Sequence, residues 1–230
     1  MINGKQISTK KSYNILLLDD HPVIVEALIN MIDFCKKKDE IFNYIKVLDC
    51  EGVVKKLYSL KLENNNLDIA FIDISLKPYK NLKSGADVIK LIKQLFPNCK
   101  LVITTALTEP ILIYNLIQEV DIDIILCKND ITNYDFPQVF NLIISGKHHR
   151  SNTVQKELIK ITQAKFGIDD IDLNIIYCIS KKIKTKDLPL HIPLSLSAIE
   201  KRKSYLKKHF SNNKEDLNFF LSNLKKAGLL

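Results

Sequence analysis

Short apolar runs alternate with amphipathic stretches over the first two thirds of the chain. The runs are Asn14–Leu18, Tyr44–Leu48, Ile69–Ile72, Leu101–Thr104 and Ile122–Cys127. Four of the five lack strict polar–apolar alternation, the pattern of strands covered on both faces and hence of a parallel sheet. Between them lie segments with helical spacing: Val23–Cys35, Val53–Lys61, Ala86–Phe96, Ile111–Ile117 and Val139–Ile144. Five strand–helix units predict an α/β domain, a doubly wound five-stranded parallel sheet. Beyond it the pattern is helical. Ser151–Lys165 places Val154, Leu158 and Ile161 on one stripe and reads as a linker helix. Leu173–Ser180, roughly Lys186–Ile192, Ser197–Phe210 and Glu215–Lys226 then predict a small all-α domain. The expected limits are residues 1–147 for the first domain, 148–166 for the linker helix and 167–230 for the second domain.

Composition narrows the classes. Apolar residues make up 46% of the 230, enough for buried cores. No run is apolar for eighteen residues, which excludes a membrane-spanning helix. Met1–Lys11 is polar and carries no secretory signal, so a cytoplasmic protein is expected. The five cysteines, Cys35, Cys50, Cys99, Cys127 and Cys178, are odd in number and lack metal-ligand spacing. They read as small apolar residues in a reducing compartment. The net charge of +8 is unevenly spread: Ser151–Leu230 carries 15 Lys and Arg against 8 Asp and Glu, and the first 150 residues carry 19 against 18. A near-neutral first part and a basic second part point to two domains, the second facing a polyanion.

The chemistry concentrates at the predicted strand ends. Asp19 and Asp20 follow the first strand and Asp73 follows the third. Ligands of an open parallel sheet bind outside the carboxyl ends of its strands, so one edge should hold all three acids. Such acids suit magnesium, which uses one or two carboxylates together with a phosphate. The fourth strand ends in Thr104–Thr105, a hydroxyl donor, and the fifth in Lys128, a fixed positive charge. A strand-terminal Asp taken alone is commonly a cap or turn residue. The whole set at successive strand ends makes a phosphoryl-transfer constellation of metal, nucleophile and charge clamp.

In this order the residues resemble the receiver domain of two-component response regulators, over roughly residues 12–146. The resemblance implies that Asp73 is the phosphoacceptor. It implies that Asp19 and Asp20 flank a magnesium ion, with the backbone carbonyl of Ser75 completing the metal site. It makes Thr105 the hydroxyl that reports phosphorylation and Lys128 the partner of the phosphoryl group. Two departures stand out. The loop after Asp73, ISLKPYKNLKSG, is long before Gly85, and Ile125 stands where many receivers carry Tyr or Phe.

In the basic part, Ser195 is a good N-cap for the next helix. In that helix Ile199, Leu206 and Phe210 form one stripe, and the other faces are dense in cations. One apolar stripe with a cationic remainder suits a helix in a DNA groove, although a basic helix can also be an ordinary solvated one. Lys184–Phe210 resembles the LuxR-type helix-turn-helix of NarL-like regulators, and Asn212–Leu230 is similar to that family's last helix with its Gly-Leu ending. The resemblance implies that Glu200, Lys201 and Ser204 face base edges. Arg202, where the family usually has His, is expected with Lys207 and Lys208 near phosphates or solvent. Pro189 and Pro193 depart from the pattern, and a proline inside the first helix of the motif opposes regular helix there.

The reading is a DNA-binding transcription regulator phosphorylated at Asp73 by a sensor histidine kinase, using Mg2+ and dimerising when active. It is not an enzyme apart from assisting its own phosphorylation and dephosphorylation. The alternatives are a magnesium-dependent phosphohydrolase or phosphotransferase, and a pseudo-receiver that only binds partners.

Overall fold

The computed structural model describes residues 11–107, 110–211 and 216–229. The N-terminal stretch read above as lacking a signal, except Lys11, lies outside them, as do residues 212–215 and 230 at either end of the expected last helix. Two compact units are present. The first takes in the chain before Pro110 together with Val120–Ser151, and the second takes in Pro110–Glu119 with the chain from Asn152 onward.

In the first unit, β1 (Lys11–Leu18), β2 (Glu40–Val47), β3 (Ile69–Asp73), β4 (Lys100–Thr105), β5 (Ile124–Cys127) and β6 (His149–Arg150) form one sheet in the order β2-β1-β3-β4-β5-β6. Every pairing is parallel. The expected five strands are therefore joined by a sixth. At two residues β6 is too short to carry a period, and it is fixed by long-range bonds. The amide of His149 donates to the Asp123 carbonyl, and that of Ser151 to the Ile125 carbonyl, each at 2.9 Å.

The helices of this unit are α1 (Pro22–Phe34), α2 (Cys50–Leu62), α3 (Gly85–Leu95) and α5 (Phe136–Ile144). Local signals start them. Asp49 caps α2 by accepting from Gly52 N at 2.6 Å, and Ser84 caps α3 through Ala86 N at 3.2 Å. One face of the sheet, with Ile15, Leu17 and Phe71, is buried under Leu28 and Ile32 of α1 and Phe140 of α5. β3 is buried at all five residues, which is why its run Ile69–Ile72 shows no alternation.

The second unit comprises α4 (Pro110–Glu119), α6 (Asn152–Phe166), α7 (Asp170–Ser180), α8 (Leu196–Phe210) and α9 (Leu217–Lys226). The segment read as a linker helix, α6, buries Val154 and Leu158. It also holds the end of the chain: the Thr162 hydroxyl donates to the Ala227 carbonyl at 2.6 Å, and Gln155 Nε2 donates to the Gly228 carbonyl. Gly228, at φ +75°, follows α9, with Gly228 N donating to Lys225 O and Leu229 N to Leu224 O, a complete Schellman cap. A Cβ there would meet Leu158 Cβ at 2.5 Å, so glycine is required both for its torsion and for its closeness to α6. The core joins Ile175 and Ile179 of α7 to Ile199 and Leu206 of α8 and Leu224 of α9.

The segment before α8 corrects one expectation. Lys186–Ile192 was expected to be helical, and Thr185–Leu190 is a 3-10 helix with Pro189 inside it. Proline lacks the amide donor and crowds the preceding turn, so an α-helix does not form. Leu188 is nonetheless fully buried and anchors the segment to the core. The five cysteines are all unpaired.

Candidate functional site

The sheet order reverses direction between β1 and β3, and the acids gather where it does. Asp19 follows β1 and Asp73 ends β3; both carboxylates are buried, at 1% and 2% exposure. Lys128, first residue of a short 3-10 turn after β5, lies between them. Its Nζ is 2.7 Å from Asp19 Oδ2 and 2.8 Å from Asp73 Oδ2. Burial lowers the lysine pKa, but the pairing of its ammonium with the Asp19 and Asp73 carboxylates outweighs it and leaves the value raised. The backbone amide of Ser75 donates to Asp73 Oδ1 at 3.1 Å, which fixes the carboxylate's rotation.

Asp20, half-buried, presents Oδ1 to the same region. Asp19 Oδ2 and Asp20 Oδ1 are buried without a well-directed hydrogen bond, although each has a cationic or imidazole nitrogen at close range. Several carboxylates gathered around a single ammonium are what a divalent cation balances. Candidate ligand atoms of Asp19, Asp20, His21 and Asp73 all lie within 4.8 Å of one another.

Thr104 pairs with Asp73 across β4 and β3, and Thr105 pairs with Cys127 on β5. The Thr105 hydroxyl is buried and accepts from Leu107 N at 2.9 Å. Gly85 opens α3 directly behind Asp73. A Cβ on it would sit 1.9 Å from the Asp73 carbonyl oxygen, so the long loop after Asp73 returns to a contact only glycine permits.

His21 was missed by the sequence reading. It occupies the N-cap position of α1, before Pro22, yet its side chain makes no capping bond. It turns to the acids, with Nδ1 2.8 Å from Asp20 Oδ1 and 3.2 Å from Asp19 Oδ1. Its place directly after the acidic pair was the available signal.

On α8, Ser195 caps the helix by accepting from Ala198 N at 3.3 Å, and Ile199, Leu206 and Phe210 are buried. Glu200, Lys201, Ser204 and Lys208 are exposed, and Lys207 is half-buried. Arg202 is tied down inside the unit. Its Nη1 lies 2.9 Å from Asp169 Oδ1 and 3.0 Å from Asp172 Oδ1, beside the capping box that starts α7. A guanidinium between two carboxylates is largely neutralised toward an outside phosphate.

The architecture is therefore a receiver-like α/β fold with a helical unit of helix-turn-helix type, and the solved structures it resembles share that fold. The particular proteins it is similar to are RcsB regulators. The transcriptional regulatory protein RcsB of Salmonella typhi is 23% identical over 158 residues, and so is RcsB of Escherichia coli K12. In both, the match takes in 67% of this chain and 66% of the relative, just under two thirds of its length. A structure of two RcsB dimers bound to two parallel DNAs has a TM-score of 0.54 and 17% identity, covering 94% of this chain and 99% of that one. RcsB from Salmonella enterica serovar Typhimurium, bound to promoter P1flhDC in the presence of phosphomimetic BeF3-, has a TM-score of 0.54 and 18% identity, with 93% and 98% covered. No family model matches the chain.

Proposed function

We propose that this protein is a cytoplasmic DNA-binding transcription regulator controlled by phosphorylation of Asp73 by a sensor histidine kinase. Residues 1–147 act as receiver, 148–166 as linker helix and 167–230 as DNA-binding domain. The observation that carries the reading is the ammonium of Lys128 held between the buried carboxylates of Asp19 and Asp73 at the switch point of the sheet. The RcsB likeness and the cationic surface of α8 support it.

Asp73 is the nucleophile, and Lys128 offers its charge to the oxygens of the incoming phosphoryl group. Asp19, Asp20, Asp73 and the Ser75 backbone carbonyl would hold Mg2+, which supplies neutralisation of phosphoryl charge. The Thr105 hydroxyl gives up its bond to Leu107 N to report the new group, and the changed edge around β4 and β5 biases a two-state element. The active form is a homodimer whose basic domains take paired half-sites. Its only catalysis is to assist formation and hydrolysis of its own acyl phosphate.

The test is incubation of the full chain with acetyl phosphate and Mg2+, followed by intact mass. One phosphoryl group should be added, and none to Asp73→Asn. Equal labelling of the variant would overturn the assignment.

A further inference from the structure

The acidic edge is more than a set of carboxylates, because an imidazole is aimed into it. Formally, three carboxylates face one ammonium there, which leaves an excess of about two negative charges for a cation to balance. A hexacoordinate shell with metal–ligand bonds near 2.1 Å separates neighbouring donor atoms by about 3.0 Å. His21 Nδ1 stands 2.8 Å from Asp20 Oδ1 and 3.2 Å from Asp19 Oδ1, so its nitrogen already has the spacing of a donor in such a shell. The backbone supports this arrangement: His21 N donates to Asp19 Oδ1 at 3.0 Å, and Pro22 locks the first turn of α1 behind it. The side chain is 69% exposed and caps nothing; its contacts with Asp19 and Asp20 alone direct Nδ1 to the place a cation would occupy.

We propose that His21 is a metal ligand, and that it makes this site prefer a first-row transition cation over Mg2+. The proposal rests on the reading of this edge as a receiver's cation site and adds a donor to it. Carboxylates and water suit Mg2+, whereas an imidazole nitrogen favours the later divalent ions. Coordination through Nδ1 leaves Nε2–H free in solvent. The same residues thus accept Mg2+ through oxygen alone, and a transition ion through oxygen and nitrogen together. Such an ion competes with Mg2+ for the phosphoacceptor, which couples phosphorylation to the supply of transition metal.

Co2+ is the probe. Proton NMR of the full chain with Co2+ should show a strongly hyperfine-shifted imidazole N–H resonance that disappears in D2O. It should be absent from His21→Ala and present in His148→Ala, which removes a histidine beside a different carboxylate, Asp121. In titrations, His21→Ala should lose at least the tenfold in Co2+ affinity that even an outer-shell partner commands, so that the preference for Co2+ over Mg2+ collapses. A shifted resonance that survives in His21→Ala, or an unaltered preference, would overturn the proposal. Acetyl phosphate labelling of Asp73 in Mg2+ alone separates the two ideas. Labelling without a His21-dependent signal sinks only the ligand, and no labelling with no divalent cation bound sinks both.

Discussion

At the scale of single residues, the site depends on charges that leave one another little alternative. Lys128 is 16% exposed at its side chain and holds two carboxylates that are almost fully buried. Removing it strands like charges away from water, and breaking a buried pair in this way costs on the order of 3 kcal/mol. Lys128→Ala should therefore lower stability at neutral pH in denaturant titrations, and millimolar Mg2+ should restore more stability to the variant than to the wild type. Equal effects of Mg2+ on both would show that the carboxylates do not share a cation. The pH dependence has a definite sign. A lysine whose folded pKa is raised contributes fully below its unfolded value of 10.5, and that contribution is lost only as pH rises through the higher folded value. Gly85 is the second pivotal residue. Gly85→Ala must push α3 or the Asp73 carbonyl aside, at about 1–3 kcal/mol for overpacking. Slower acetyl phosphate labelling should accompany the lost stability, since the displaced carbonyl belongs to Asp73, the proposed phosphoacceptor.

At the scale of elements, α8 divides its surface between anchoring and display. Ile199, Leu206 and Phe210 anchor it, Arg202 is bound to Asp169 and Asp172, and Lys201, Ser204 and Lys208 are left outward. The exposed positions have separable expected phenotypes. Lys201→Ala should cost about 1–3 kcal/mol on a selected DNA site and relax preference at one base position. Identical motifs selected by the variant and the wild type would exclude base reading by Lys201. Arg202→Ala should act mainly on folding, because its partners are acids of its own unit. Asp169, whose pKa lies below the usual carboxylate range through the amide of Asp172 and then Arg202, caps α7 and needs that cation.

At the scale of the whole molecule, charge and chemistry are segregated along the chain. The acids sit at the edge of a sheet in the first unit, and the cationic excess lies in the last 80 residues. DNA binding by the intact protein should therefore weaken steeply with salt, because neutralised phosphates release counterions. Lys208→Ala should flatten that dependence by about one unit of slope while weakening all sequences alike. A slope unchanged in Lys208→Ala would place this lysine away from the backbone. Grouping α4 with the helical unit was not visible in Ile111–Ile117, since an apolar stripe records that a face is covered and not by what.

The sequence by itself determined five of the six strands, most of the helices and the identity of the acids, because period and local caps depend on neighbours a few residues away. Unalternating runs told of a sheet covered on both faces, and Ser195 announced the start of α8 within one residue. Tertiary structure alone decided the rest. β6 exists only because β5 offers it a free edge, and Thr185–Leu190 tightens to a 3-10 helix around Pro189 while Leu188 holds it to the core. Arg202 found Asp169 and Asp172 across thirty residues of chain, and His21 found Asp19 and Asp20 by turning away from the helix it begins. The strand, the tightened helix and the Arg202 pairing depend on distant segments meeting, and the His21 contact on which way its side chain turns. A linear pattern encodes neither.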